Sequence, residues 1–142
     1  MELQKNIANA IRNNDFPLYQ RTRYPHIQDG DVLVFEDEDF SGVNFEQFSM
    51  GFAEFYNCNL DNAKYLHGQP VKIEGGSAKN LDLRGVGLIL QALECDFSGL
   101  KYNESTQLSY GEGGQDAYSV FSGCTVDSET VEYFKTQGVD FS

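Results

Sequence analysis

The stretch LVFEDEDFSGVNFEQFSMGFAEFYNCNLDNAKY, residues 33–65, decides the fold. Large apolar residues stand at Phe35, Phe40, Phe45, Met50, Phe55, Leu60 and Tyr65, each five residues after the last. Two positions ahead of most of them is a second apolar or small residue: Leu33, Val43, Phe48, Ala53, Cys58 and Ala63. A helix repeats at about 3.6 residues and a strand at about 2, so neither produces this step. A short fixed period sustained over many units is the signature of a solenoid, in which no unit buries its apolar pair alone and stacking makes the core.

Outside this stretch the period continues with interruptions. The phase is lost after Tyr65, which reads as an insertion of three near residues 66–70. It resumes at Ile73, Ala78, Leu83, Leu88 and Leu93, preceded by Val71, Gly76, Leu81, Val86 and Gln91. One residue is then dropped before Phe97 (with Cys95) and Tyr102 (with Leu100). Phe121 (with Ser119), Val126 (with Cys124) and the pair Val139–Phe141 complete seventeen units.

The pattern resembles the pentapeptide-repeat family, whose unit is A(D/N)LXX. SGVNF (41–45), AEF (53–55), NCNLD (57–61), NAKYL (62–66), NLDLR (80–84) and CDFSG (95–99) carry the resemblance. It implies an all-β solenoid, a right-handed quadrilateral β-helix with four units per coil and with the central and minus-two residues inside. Leu33, Phe48, Leu81 and Leu100 are large where the family has Ala, Glu38 is charged and Gln91 polar, so local bulging is expected there.

A stack of coils exposes open backbone at both ends and needs caps. Leu3, Ile7 and Ile11 fall on one stripe of a helix, so residues 1–30 read as an N-terminal helical cap and lead-in, with the β-helix over 31–142. A short helix is expected at about 129–136, with Asp127 or Ser128 as N-cap, Val131 and Phe134 as its apolar side and Gly138 as its stop. The polar, Gly-rich stretch 103–118, NESTQLSYGEGGQDAY, reads as an inserted, protruding loop.

The chain has 142 residues and net charge −12. Residues 31–142 hold 19 of the 22 acidic and 6 of the 10 basic residues, so this part carries −13. Such a surface repels phosphate and excludes direct nucleic-acid binding, but it attracts basic proteins. No apolar run reaches the roughly 18 residues of a membrane span, and the N-terminus lacks the apolar core of a signal peptide, so a cytoplasmic protein is expected.

The chain carries no sign of catalysis, cofactor or metal. It contains no GxSxG, HExxH or P-loop motif, and His26 and His67 are isolated. The run Glu36-Asp37-Glu38-Asp39 lacks the glycine and closing glutamate of an EF-hand and reads as a solvated charge run. Cys58, Cys95 and Cys124 all occupy minus-two positions, as buried inert thiols in place of Ala.

Function is therefore expected on the surface, with a protein as partner. With four units per coil and no net shift near residue 68, Phe40, Leu60, Leu83 and Tyr102 stack on one face, and Phe45, Tyr65 and Leu88 on the next. Leu66, Ile89 and Leu90 would then form an exposed apolar strip. Two readings follow. In the first, the chain is an acidic DNA mimic, as the family resemblance suggests. It would inhibit a DNA-binding protein with a basic groove (a topoisomerase, a nuclease or a CRISPR complex) through Glu46, Glu54, Asp61, Glu74, Asp82, Glu94 and Asp96. In the second, it is a rigid scaffold that binds a regulatory partner through the apolar strip or through the inserted loop, with Tyr110 and Glu112. A homodimer joined end to end through the C-terminal helix is compatible with both.

Overall fold

In the computed structural model the described residues are 2–23, 32–50, 52–112 and 115–142, and for 2, 69, 110–112 and 115–117 the backbone alone. The chain forms a parallel β-solenoid of about five turns with short helices towards both termini. Helices α1 (Glu2–Arg12) and α2 (Phe16–Arg23) precede strands β1 (Leu33–Glu36), β2 (Ala53–Tyr56), β3 (Gly68–Glu74) and β4 (Leu88–Leu93). A hairpin of β5 (Ser109–Glu112) and β6 (Gln115–Tyr118) follows, then β7 (Val120–Ser122), α3 (Ser128–Lys135) and β8 (Asp140–Phe141).

Strands β1, β2, β3, β4, β7 and β8 pair in parallel, one per coil, and form one wall. Single bridges mark three further walls: Asp39–Asn59–Ser77–Asp96–Thr125, Asn44–Lys64–Asp82–Lys101 and, between two coils, Gly87–Gln107. We call these walls faces 1 to 4 in chain order. The core is the stacked interior: Phe35, Phe40, Phe45 and Phe55 meet ring to ring at 5.2 to 6.3 Å, and all are at most 1% exposed. Each such side chain contributes roughly 1.5–3 kcal/mol by leaving water.

The coils are unequal. Between Leu33, Ala53, Val71, Leu90, Ser119 and Val139, which stack in one column, they take 20, 18, 19, 29 and 20 residues. This corrects the expected register. The segment near residues 66–70 is a shortened coil, not an insertion. Phe40 and Leu60 therefore stack with Ala78 and Phe97, while Leu83 and Tyr102 belong to the next face. At the shortening, Tyr65 takes a left-handed φ of 58° and turns outward, and Leu66 enters the core in its place. On β4 the inward residues are Leu88, Leu90 and Ala92, so Gln91 lies outside and no polar group is forced into the core.

The stretch 103–118 also divides differently. Residues 103–108 complete a coil, with Thr106 and Leu108 buried as its inward pair and the Thr106 hydroxyl donating to Leu83 O at 2.7 Å. Only the β5–β6 hairpin leaves the solenoid, between Leu108 and Ser119, and the Ser119 N–H donates back to Leu108 O to close its base.

Both caps explain departures from the small-residue pattern. Ile7, Ala8, Ala10 and Ile11 of α1 are buried in the core cluster. Arg12, at the end of α1, bonds Glu38 at 3.0 Å and lies over the Phe40 ring, so the inward-placed carboxylate is neutralised from above. The oversized Phe48 packs against Phe16 and Tyr19 of α2, and Tyr19 and Arg23 both bond the carbonyl of Ser49. At the other end α3 spans Ser128–Lys135, with Asp127 in the N-cap position. Its carboxylate accepts from Gly99 N–H of the preceding coil at 2.9 Å instead of capping its own helix. Phe134 of α3 packs on Tyr102, and Gly138 follows with a φ of 90°.

Two corners are built from columns of left-handed residues. Asp37, Asn57, Gly75, Glu94 and Gly123 form the first, and Gly42, Asn62, Asn80 and Gly99 the second, all with φ between 50° and 72°. Asn, Asp and Gly tolerate this conformation, whereas other residues lose roughly 1–2 kcal/mol. Glu94 is the exception in its column. Glu94→Asn is therefore expected to stabilise the chain by about 1 kcal/mol, read as a rise in the urea midpoint. Glycines give a second contrast. A Cβ at Gly85 meets nothing within 4 Å, while one at Gly76 runs into the Cys58 carbonyl oxygen, and both residues have φ of 75°. Gly85→Ala should cost about 1 kcal/mol and Gly76→Ala several times as much in the same measurement.

Candidate protein-interaction surfaces

The residue before each central apolar residue is Asp or Asn on most coils, and its geometry shows why. The side-chain oxygens of Asp39, Asn44, Asn59, Asp82 and Asp96 each accept from the backbone N–H two residues on, at 2.9 to 3.1 Å, and Asn103, at another position of its unit, does the same at 3.0 Å. These are Asx turns, which start the bend into each corner. Part of the acidity is thus structural in origin.

The proposed contact carboxylates fall into two groups. Glu54, Asp61, Glu74, Glu94 and Asp96 lie on faces 1 and 2 or at the corner between them, beside Glu36, Asp37, Asp39, Asp127 and Asp140. Lys72 and Lys79 are the cations on those two walls among the described residues. Glu46 and Asp82 lie on the opposite side, where Glu46, Asp82 and Glu104 are balanced by Lys64, Arg84 and Lys101. The charge is therefore one-sided, and the structure separates two residues that the sequence reading had grouped with the rest. Asp82 is in addition held by Arg84 through two bonds, at 2.7 and 3.0 Å.

Several of the acidic side chains are already engaged. Asp61 accepts from the Ser77 hydroxyl and from Lys79 N–H, tying one coil to the next. Glu54 accepts from the Tyr56 hydroxyl at 2.5 Å, which raises the phenol above its ordinary value, and Lys72 lies 5.3 Å from the Tyr56 ring centre. Glu46 and Glu94 are exposed, and the others half-buried.

The expected apolar strip is not a surface feature. Leu66 and Leu90 are fully buried and Ile89 is 8% exposed, because the shortened coil turns Leu66 and Leu90 into the core. Ile89 points outward but is covered, since β4 packs against both strands of the hairpin. The side chains of Tyr110 and Glu112 lie outside the described residues, and only their place on β5 is fixed. A different apolar column was missed. Val32, Phe52 and Tyr118 are 41%, 47% and 46% exposed and each immediately precedes the first inward residue of face 1. Their signal in the sequence was a large apolar residue directly before the minus-two position, at Val32 and twenty residues on at Phe52.

A cleft of about 430 Å³ between α1 and β1 is lined by Gln4, Lys5, Val34, Phe35, Glu36, Asp37 and Glu38. No group of three or more His, Cys, Asp or Glu among the described residues is placed to hold a metal ion. Cys58, Cys95 and Cys124 share one inward column, and burial raises all three thiols, Cys95 to about 12. No described helix is long and apolar enough to cross a membrane. No protein-family model, curated protein or solved structure matches the chain.

The Asx turns predict an acid response. Backbone N–H donors hold the carboxyls of Asp39 and Asp96 below the usual value, and Arg84 does the same for Asp82. A group lowered in the folded state stabilises fully above its unfolded value, about 4, and loses that contribution as pH falls through the folded value. The joint variant Asp82→Asn/Asp96→Asn should unfold at lower urea than the parent at pH 7, with the gap closing below about pH 4.

Proposed function

We propose that the chain is a non-catalytic protein-binding module of the pentapeptide-repeat type, and that its acidic side occupies the basic groove of a DNA-binding protein as a DNA mimic. The observation that carries this reading is the one-sided charge: faces 1 and 2 concentrate the carboxylates, and face 3 is balanced. The five-residue step and the Asx turns at the Asp/Asn positions support the family assignment. Parallel ladders space the rungs by roughly 4.8 Å, so carboxylates are presented as regular rows on a rigid wall. Rows of this kind exchange counterions with Lys and Arg on a partner, and the complex should weaken with salt.

The test is a competition assay. The chain should inhibit DNA binding or supercoiling by a susceptible topoisomerase or nuclease at low salt and lose potency as salt rises. Glu36→Gln/Glu54→Gln/Glu74→Gln should weaken inhibition at least about tenfold, while Glu46→Gln/Glu104→Gln on the balanced side should stay within about twofold. Absence of inhibition at low salt across several such enzymes rejects the reading.

A further inference from the structure

One surface is left unexplained by the acidic walls. Along the corner between face 4 and face 1, the residue before each inward pair forms a column: Val32, Phe52, Pro70, Ile89 and Tyr118, with a one-residue bulge at Pro70; Ile89 is covered, so the open part of the column is its first three rungs, Val32, Phe52 and Pro70. Val32, Phe52 and Tyr118 are the largest exposed apolar side chains in the described residues apart from Tyr65, which lies on another corner. Single exposed apolar residues are ordinary, but a row stacked coil on coil is not. A depression of about 100 Å³ lies between Val32, Phe52 and Pro70 on one side and Glu54, Lys72 and Gln91 on the other.

We propose that this ladder is a docking site for a basic amphipathic α-helix of a partner protein, lying along the solenoid axis. Three features select that occupant. First, the walls commit their backbone groups to the coils above and below, so a segment along this corner finds no free sheet edge. It must satisfy its own backbone, as a helix does and an extended peptide does not. Second, the rungs repeat at roughly 4.8 Å and a helix turns once in roughly 5.4 Å, so one apolar residue per turn stays near one rung over three to four rungs. Third, Glu36, Glu54 and Glu74 stand on the adjoining wall, where Lys72 is the one cation of that wall among the described residues, so a helix flanked by Lys or Arg is favoured. The flanking carboxylates Glu36, Glu54 and Glu74 also belong to the groove-filling reading, but the apolar ladder is separate from it and does not require it.

The probe is a labelled 18-residue peptide with Leu at positions i, i+4, i+7 and i+11 and mainly Lys elsewhere, titrated with the full chain by fluorescence anisotropy. Its scrambled isomer is the control. The patterned peptide should bind at least about tenfold tighter than the scramble, and Val32→Ser/Phe52→Ser should remove that advantage while circular dichroism and Tm hold. If that pair unfolds the chain, Phe52→Ser alone replaces it, since the site is exposed. Glu54→Gln/Glu74→Gln should flatten the salt dependence and leave the preference for pattern. Equal binding of patterned and scrambled peptides, or affinity unchanged by the serine substitutions, overturns the proposal. So does finding that those substitutions instead abolish self-association or binding to phosphatidylserine vesicles, because the ladder then has another occupant. DNA-competition activity is read separately, so the outcome here does not depend on it.

Discussion

Everything in this solenoid depends on corners that stack. Each coil is joined to its neighbours by parallel backbone hydrogen bonds, and these survive only if every coil bends at the same height. At the two corners flanking face 2 the bend needs a residue at positive φ, and that residue must lie over another of its kind. Asn, Asp and Gly meet the first demand at small cost, and the Asx turn prepares the bend two residues earlier. A five-residue unit is then the shortest repeat that holds an inward pair, an outward acceptor between them and a corner. The composition follows from this: 14 Gly and a surplus of Asp and Asn are corner chemistry before they are surface chemistry.

The same constraint explains how much was legible. The stretch from Leu33 to Leu60 runs without interruption, so its inward residues are read directly from spacing and are buried as expected, apart from the half-buried Glu38 and Val43. The caps were also legible from Leu3, Ile7 and Ile11 and from Phe134, because helical periodicity differs plainly from a step of five; on α3, however, Thr130 is the residue buried with Phe134, and Val131 is only half-buried. Register beyond Tyr65 was not. A coil of 18 residues and an insertion of three leave similar gaps in a sequence, yet they place every later residue on a different face. Leu66 and Leu90 moved from surface to core for that reason. The unit at Thr106 and Leu108 was hidden by a one-residue slip and by the hairpin that follows it.

Which carboxylates act together was illegible for a related reason. The outward set is fixed by local pattern, but the wall a residue joins is fixed by coil length. Asp82 shows this best. By spacing it stacked with Asp39 and Asn59, whereas it belongs with Lys64 and Lys101 and is bonded by Arg84. The apolar ladder at Val32, Phe52 and Pro70 likewise exists only once the coil from Ala53 to Val71 is known to be shortened.

The columns show how an acidic stack of this kind stays folded. In-register carboxylates on neighbouring coils would sit roughly 4.8 Å apart and repel by about 1–3 kcal/mol at surface dielectrics. None of the described columns on faces 1 to 3 contains such a pair. On face 1 the sequence of rungs is Glu36, Tyr56, Glu74, Leu93, Ser122 on one column and Val34, Glu54, Lys72, Gln91, Val120, Asp140 on the other. Face 2 reads Asp39, Asn59, Ser77, Asp96, Thr125, and the corner Asp37, Asn57, Gly75, Glu94, Gly123. The acidic run of the first coil is thus answered by Asn57, Cys58 and Asn59 in the second. Like charges along a column are kept at least two rungs apart, close to the screening length of about 8 Å at physiological salt. The negative wall is therefore dense enough to attract a cationic partner and sparse enough, column by column, to leave the ladders intact.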